Sequence, residues 1–512
     1  MNIRLPSVIF ANRSGNQRIR EKFEGRYTSG KPIPVIDPIQ RRPMRPSSAA
    51  LPFAIFVTLV AGASEVMAFG TTDPFNTDAA TPPRLLLFPD AENAYEPCKP
   101  LAADATYGVL EVVDLALCQN PKTHESWANA RVQAAQVGIA QSEFLPNLDG
   151  KFSANRVQSD TGTSNQRSAS LTLSWLLYDF GARSANLENA RQLLSAAAST
   201  LDATVQNVFL SALQSYYAAQ AARAAVTAAQ ESEKSSRESL TAAEVRYTVG
   251  TGTPADKLQA QTAWSQATLN RIKAEGTLKI AYGTLANVMG LDANQSLKLA
   301  DISEVVPDAS FERDVDALIA ESRERRPELK AAEAQVSAAQ SNVESARTSG
   351  LPILSLGTGP SWQNSNDLRS HSNAIGLTLT LPLFSGFDTT YKLRSAQAKT
   401  ETASAQRDAV RQQVALDVWS AYQNLTTATQ TIRTTADLMA SAEQSERVAL
   451  GRYKAGVGNI LDVLNAQSAL AAARLQRIQA LLDWYVSRAS LAKAVGALDS
   501  RLLNPPAGTK AP

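Results

Sequence analysis

The chain has 512 residues, with 50 Lys and Arg against 48 Asp and Glu, two Cys, two His and 6% aromatic residues. Two Cys and two His leave no spare ligands for an ordinary structural zinc site, and the near-neutral charge argues against nucleic acid as a partner. Length alone is a prior for about three ordinary domains, but few aromatics with abundant Ala, Gln, Ser and Leu fit long helices better than several compact cores.

The first 43 residues are basic and Pro-rich, without periodicity. An apolar run over 49–62 follows Arg45, and Val66-Met67-Ala68 closes it. About 14 apolar residues are too few to span a bilayer, which needs about 20. A basic flank, a short apolar core and a small residue at the end make a secretory signal peptide, cleaved after Ala68. Met44 is the more conventional start. The absence of Cys after the cleavage point argues against a lipid-anchored N-terminus. Removing ten basic and four acidic residues leaves 40 and 44, a net charge of about −4. In an exported chain Cys98 and Cys118 meet an oxidising compartment, where an even count favours a disulfide over two buried thiols. That bond would tie the extended segment to the first helix.

A helix begins near residue 109. After Leu145-Pro146, alternation of Leu148, Gly150, Phe152 and Ala154 with polar residues reads as a strand. Ala169, Leu171, Leu173, Trp175 and Leu177 alternate with Ser170, Thr172 and Ser174 in a second, with a polar loop expected over 160–166. Residues 182–249 contain no Pro or Gly. About 67 helical residues reach roughly 100 Å, longer than a single globular core needs, so a coiled coil is expected. Arg246-Tyr247-Thr248-Val249-Gly250-Thr251-Gly252 ends that helix, and Thr253-Pro254 opens the next. Residues 291–320 read as a mixed, acidic linker. The pattern then recurs: Leu354 and Leu356, a polar loop over 364–370, the alternation of Ile375, Leu377, Leu379, Leu381 and Leu383, a long helix, and Arg452-Tyr453-Lys454-Ala455-Gly456-Val457-Gly458. The last residues, 497–512, are Pro-rich and expected to be disordered.

The recurrence has one ungapped offset of 206 residues. It pairs Pro121 with Pro327, Leu145-Pro146 with Leu351-Pro352, Tyr216 with Tyr422, Asp256 with Asp462, and Gly290 with Gly496. One unit used twice predicts helix, strand, strand, long helix, turn and helix in each copy. Strands of about ten residues, apolar on one face and small-polar on the other, match a transmembrane β-barrel wall. Trp175, Tyr178, Phe180, Phe384 and Phe387 lie where an interfacial aromatic girdle belongs. By themselves the strands fit a half-buried soluble sandwich better. The long polar helices favour a hollow wall instead. Four strands cannot close a membrane barrel and an open edge cannot face lipid, so several chains must share one. Two, three or four copies would all satisfy this.

The Leu-Pro entries, the exits Leu177-Tyr178-Asp179-Phe180-Gly181 and Leu383-Phe384-Ser385-Gly386, and the duplicated Arg-Tyr-x-x-Gly turns together resemble the TolC family of outer-membrane efflux proteins over about 109–496. The region from Cys98 to Cys118 resembles the branch with TolC and CyaE-type secretion proteins. The resemblance implies a mixed α and β membrane protein: a long α-helical coiled-coil barrel on a trimer-shared, 12-stranded transmembrane β-barrel, with an internal two-fold repeat. The expected organisation is 1–68 extension and signal peptide, 69–108 extended segment, 109–290 first repeat, 291–320 equatorial linker, 321–496 second repeat and 497–512 tail. The family carries no catalytic chemistry and no cofactor. It implies a homotrimer in outer-membrane lipid, with its helical tunnel in the periplasm. A periplasmic membrane-fusion adaptor and an inner-membrane pump, ABC or proton-driven, would be its partners. Cargo would be small toxic molecules or a type I secreted protein. The reading from another class is a secreted trimeric coiled-coil adhesin, which usually has one terminal anchor rather than strand pairs inside both repeats.

By that resemblance Arg246, Tyr247, Gly250, Gly252, Arg452, Tyr453, Gly456 and Gly458 form adaptor-docking tips, with two exposed glycines per turn. Asp256, Tyr453, Asp462 and Asn465 occupy periplasmic gate positions. Asp462 matches an acidic ring residue, Asn465 stands at a second acidic position and Gly458 at a gating Arg position. Tyr453 and Asp256 match a pair linking neighbouring coils. Each tip residue also has a local role: Gly250 and Gly456 as left-handed helix ends, Thr253 and Asn459 as N-caps, Pro254 at the first helical position, and Asp256, Asp462, Arg246 and Arg452 as partners of helix dipoles. His124 and His371 lack companions at ligand spacing. Gly250-Thr251-Gly252 lacks the preceding strand and following Lys of a phosphate loop, and no nucleophile–base constellation stands out.

Overall fold

The computed structural model describes residues 73–81, 98, 106–160, 162–295, 297–301, 314–366 and 368–498. The expected signal peptide, most of 69–108, residues 302–313 of the linker and most of the tail lie outside the described residues. The elements described all belong to residues 73–512.

Strand β1 (Thr106–Tyr107) leads into helices α1 (Val109–Gln119) and α2 (Pro121–Ser142). A hairpin of β2 (Asn147–Ser159) and β3 (Gly162–Tyr178) precedes α3 (Ala182–Thr248) and α4 (Pro254–Val288). After β4 (Lys298–Leu299), the series repeats as α5 (Val315–Arg325), α6 (Pro327–Thr348), β5 (Ile353–Ser365), β6 (Leu368–Thr380), α7 (Asp388–Lys454) and α8 (Ile460–Val495). The equivalent helices have matching lengths: 22 and 22 residues for α2 and α6, 67 and 67 for α3 and α7, 35 and 36 for α4 and α8. No described helix is long and apolar enough to cross a membrane.

The two hairpins form one antiparallel sheet in the order β2-β3-β5-β6. The strands are longer than the ten residues expected, 13, 17, 13 and 13. The polar loops expected over 160–166 and 364–370 are mostly strand, because Ser159 pairs with Gly162 and Ser365 with Leu368 across two-residue turns. Polar residues there satisfy the ladder with their backbone, and side-chain polarity says nothing against that. Asn366, at φ 47°, tucks its Oδ1 onto the Asn165 N–H at 2.9 Å and ties the hairpins together. The β3–β5 ladder skips Gly359 and Pro360. Pro360 has no N–H to give, and a Cβ on Gly359 would lie on top of the Leu171 carbonyl oxygen.

The helices form a wall on the sheet. Near the sheet, α2 packs on α3, α3 on α6 and α6 on α7; farther away the order is α4, α3, α8 and α7. One lateral edge is therefore α2 with α4, and the other is α7. Both edges expose apolar side chains: Ile139, Ile272 and Ile280 on one, Leu416, Trp419 and Leu438 on the other.

Apolar packing concentrates midway. Val112, Val113, Leu201, Phe209, Leu285 and Met289 belong to one buried cluster, and Val418, Leu425, Ile432, Trp484 and Leu491 to a second. The repeats fasten their helix ends differently at the same carbonyl. Asn120 donates to the Val288 carbonyl at 2.9 Å; its counterpart Arg326 donates to that of Ala494 at 3.3 Å and also binds Asp417 and Glu328. Gly290 is left-handed, at φ 75°, with its missing Cβ against the Gln119 carbonyl.

Between α3 and α8, Tyr217 stacks on Tyr485 with centroids 4.5 Å apart and planes within 7°. Burial, with Tyr485 and Tyr216 adding and Arg488 opposing, pushes the Tyr217 phenol up to about 12. A phenol with a raised native pKa stabilises the fold below its ordinary value of about 10 and loses that contribution as pH climbs through the native value. The expected result is an alkaline loss of helical signal between pH 10 and 12, followed by circular dichroism, that Tyr217→Phe diminishes. An unchanged profile in the variant would count against it.

Candidate functional site: membrane wall and helical tips

Register sorts the sheet into two faces. Leu148 pairs with Leu173, Gly150 with Leu171 and Phe152 with Ala169, while Leu354 pairs with Leu379 and Leu356 with Leu377. These residues share one face. The other carries Ser153 against Ser168 and Ser361 against Ser372, joined through hydroxyls at 2.7 and 2.9 Å. Leu148, Phe152, Ile375, Leu377 and Leu379 are all more than half exposed on this chain. A soluble sandwich would bury such a face; here nothing within the described residues covers it.

At the helix end of the sheet, Tyr178 meets Phe180 edge-on at 4.8 Å, and Phe384 meets Phe387 at 5.7 Å. All four are exposed, and Trp175 donates its indole N–H to the Phe144 carbonyl. Each strand-to-helix corner uses two left-handed residues in succession, Phe180-Gly181 and then Gly386-Phe387. The order of Gly and Phe is reversed, yet the backbone is the same. Arg183 was not among the residues expected at this end. It is buried, pairs with Asp179 at 3.0 Å, donates to the Glu143 and Leu177 carbonyls, and stacks over Phe144. Its position four residues after Asp179 was the available signal.

At the far end, both turns close as Schellman motifs. Thr251 N–H donates to the Arg246 carbonyl and Gly250 N–H to that of Tyr247; Val457 and Gly456 repeat this on Arg452 and Tyr453. Gly250 and Gly456 have φ of 78° and 82°. Thr253 and Asp256 form a reciprocal capping box, with bonds of 2.9 and 3.2 Å, and the Asn459 side chain caps α8 through Leu461 N–H. The expectation of two exposed glycines per turn is corrected to one. Gly250 and Gly456 are exposed with open space where a Cβ would point. Gly252 and Gly458 face inward: added Cβ atoms would lie 3.1 Å from Arg246 backbone and 2.9 Å from Tyr453 N. The chain must fold back on its own helix there.

The two tips are not equivalent. Arg246 donates to the Tyr453 carbonyl at 2.9 Å and lies over its ring at 4.8 Å. Tyr453 is buried with Ala243, Ala260, Ile460 and Val463, whereas Tyr247 is 46% exposed and Arg452 is exposed. Burial pushes the Tyr453 phenol up; Arg246 opposes this and the nearby Asp256 carboxylate adds to it. Asp256 Oδ2 accepts from Thr253 N–H. Asp462 and Asn465 are exposed one turn apart at the start of α8.

Above the tips, polar groups bridge α3 and α8. Gln467 Nε2 donates to the hydroxyls of Ser235 and Ser239 at 2.7 and 3.0 Å, and Arg474 pairs with Glu231 at 2.9 Å. Gln467 is buried, whereas its repeat counterpart Gln261 is exposed. Both glutamines look alike in sequence; among their neighbours, Val463 against Lys257 is the contrast that hints at the difference. Cys98 and Cys118 are disulfide-bonded with Cα atoms 5.6 Å apart, and the buried Asp114 accepts the Cys98 N–H at 2.8 Å.

A sheet with one bare apolar face, ending in exposed aromatics and carried on helices roughly 100 Å long, defines an outer-membrane channel protein. The chain belongs to the outer membrane efflux protein family. The family model matches residues 112–291 and again 318–497, limits that differ by 206 residues at both ends. Protein CyaE of Bordetella pertussis is 31% identical over 392 residues, covering 75% of this chain and 82% of that protein. Outer membrane efflux protein BepC of Brucella suis is 25% identical, covering 74% and 82%. The crystal structure of VceC from Vibrio cholerae aligns with a TM-score of 0.68 at 20% identity, over 76% of this chain and 96% of that one.

Proposed function

We propose that three copies of this chain form an exit duct that takes small toxic molecules, a type I secreted protein, or both, across the outer membrane. The observation that carries the assembly is the pair of unfinished edges. β2 and β6 each lack one neighbour in the sheet, and the helical wall exposes apolar residues on both lateral edges. An unlike edge meeting an unlike edge generates a ring when the rotation between copies closes, and closure is what lipid demands of a sheet edge. Three copies give a 12-stranded barrel and, continuing from it, a helical tunnel in the periplasm. Gel migration of unheated against boiled protein, with outer-membrane fractionation, tests this. A monomer at both temperatures, or recovery outside the outer membrane, would overturn it.

The tips are the place for the periplasmic adaptor, with Tyr247, Gly250, Arg452 and Gly456 as its exposed contacts. The inner-membrane pump supplies the energy. Asp462 and Asn465 line the periplasmic mouth, and three copies make one carboxylate ring and one amide ring. With Gly458 at the gating Arg position, the resting closure is looser and cation binding weaker than in a mouth with two carboxylate rings. In planar bilayers, low trivalent cation concentrations are expected to leave current in the native channel and to block Asn465→Asp more fully. Full block of the native channel at those concentrations would sink this reading.

A further inference from the structure

We infer that Arg156, Arg167 and Arg369 form a binding belt for phosphate groups of the lipid in the outer leaflet. This rests on the barrel reading proposed above.

The four strands contain three arginines, and all three fall on the apolar face at the turn end. Arg167 pairs with Ala154 on one side and Asn364 on the other, and Asn364 pairs with Arg369, so the four residues make one row across the sheet. Arg156 stands opposite Asn165, the next residue of this face toward the turns. One row nearer the helices lie Phe152, Ala169, Trp362 and His371. A basic row thus sits directly above an aromatic one. The other two strand charges, Asp149 and Lys151, lie on the opposite face against Thr172 and Ser170. The apolar-side rows hold no carboxylate, and none of the three arginines forms an ion pair among the described residues. All three are exposed.

The height of the belt fits. Tyr178, in the lower girdle, and Arg167 are eleven residues apart on β3, about 37 Å of strand. At a tilt of 35–45° this is roughly 26–30 Å along the membrane normal, against an apolar band about 25 Å tall. The arginines therefore reach the outer interface just where the apolar band ends. A charge at mid-bilayer on this face would be costly, and at the interface it is tolerated. Tolerance does not explain why all three strand arginines fall on this face while the strand carboxylate, Asp149, falls on the other. A planar guanidinium forks onto phosphate oxygens, and a basic row complements an anionic headgroup layer.

The test uses the full chain, purified as its detergent-solubilised oligomer and mixed with diphosphoryl lipid A or the dephosphorylated lipid. Native mass spectrometry counts the lipids retained. The native chain is expected to prefer the phosphorylated lipid by about tenfold. Arg156→Gln/Arg167→Gln/Arg369→Gln together should bring that ratio close to one, and Lys151→Gln, on the opposite face, should leave it unchanged. A native ratio near one, or an undiminished ratio in the triple variant, overturns the belt. Unheated gels of the same samples separate the two ideas. A trimer without lipid preference removes the belt alone, whereas a native chain that forms no trimer removes the barrel reading and the belt with it.

Discussion

Valine in place of Gly456, or of Gly250, is expected to abolish export while the assembled oligomer persists. Both glycines are left-handed, at φ 82° and 78°, and a side chain there would meet no other atom within 4 Å. An L-residue in that conformation costs about 1–2 kcal/mol. That is small beside the packing of helices 67 residues long, so the turns hold. What changes is the outer surface of the tip, where the adaptor needs close backbone approach. A secretion or drug-accumulation assay, run beside an unheated gel, checks both halves. Normal export in both variants would remove the tips from the docking surface. Substitutions at Gly252 and Gly458 are less informative, because a Cβ there collides with the turn itself.

Gly359→Val is expected to have the opposite signature, with the assembled barrel lost. The new Cβ would lie 1.9 Å from the Leu171 carbonyl oxygen, and since this contact is backbone, β3 and β5 must part. Overpacking of this kind costs about 3 kcal/mol or more per subunit. The two hairpins would then expose new edges, which lipid does not accept. Gly357→Val is the control: it is two residues away on the same face, and nothing lies within 4 Å of its missing Cβ. The heat-modifiable oligomer should vanish in the first variant and persist in the second. Its survival in Gly359→Val would mean that the two hairpins are not held as one rigid sheet.

The turn chemistry of the tips was open to reading because it is local. Gly250, Thr253, Pro254 and Asp256 act on backbone groups within a few residues, so composition and spacing carry nearly the whole argument. Gly359 was not readable in this way. Its constraint comes from Leu171, far away in sequence, and glycine in a strand has several possible causes. The strand lengths were underestimated for a related reason. Polar residues such as Gln166 and Asn364 end a hydrophobic pattern without ending a hydrogen-bond ladder.

The sequence by itself determined the repeat, the element types and the amphipathic face of the strands, since these depend on periodicity along one chain. Family membership followed from the same order and spacing. The tertiary structure alone decided how identical motifs diverge. Arg246 and Arg452 stand at matching positions, yet Arg246 folds over the Tyr453 ring and Arg452 is exposed. Gln467 bridges to Ser235 and Ser239 while Gln261 is exposed. The physical reason is that α8 packs between α3 and α7 whereas α4 lies at an edge. A repeat encodes the same helix twice; the neighbour on each face of that helix is set only when the chain closes on itself.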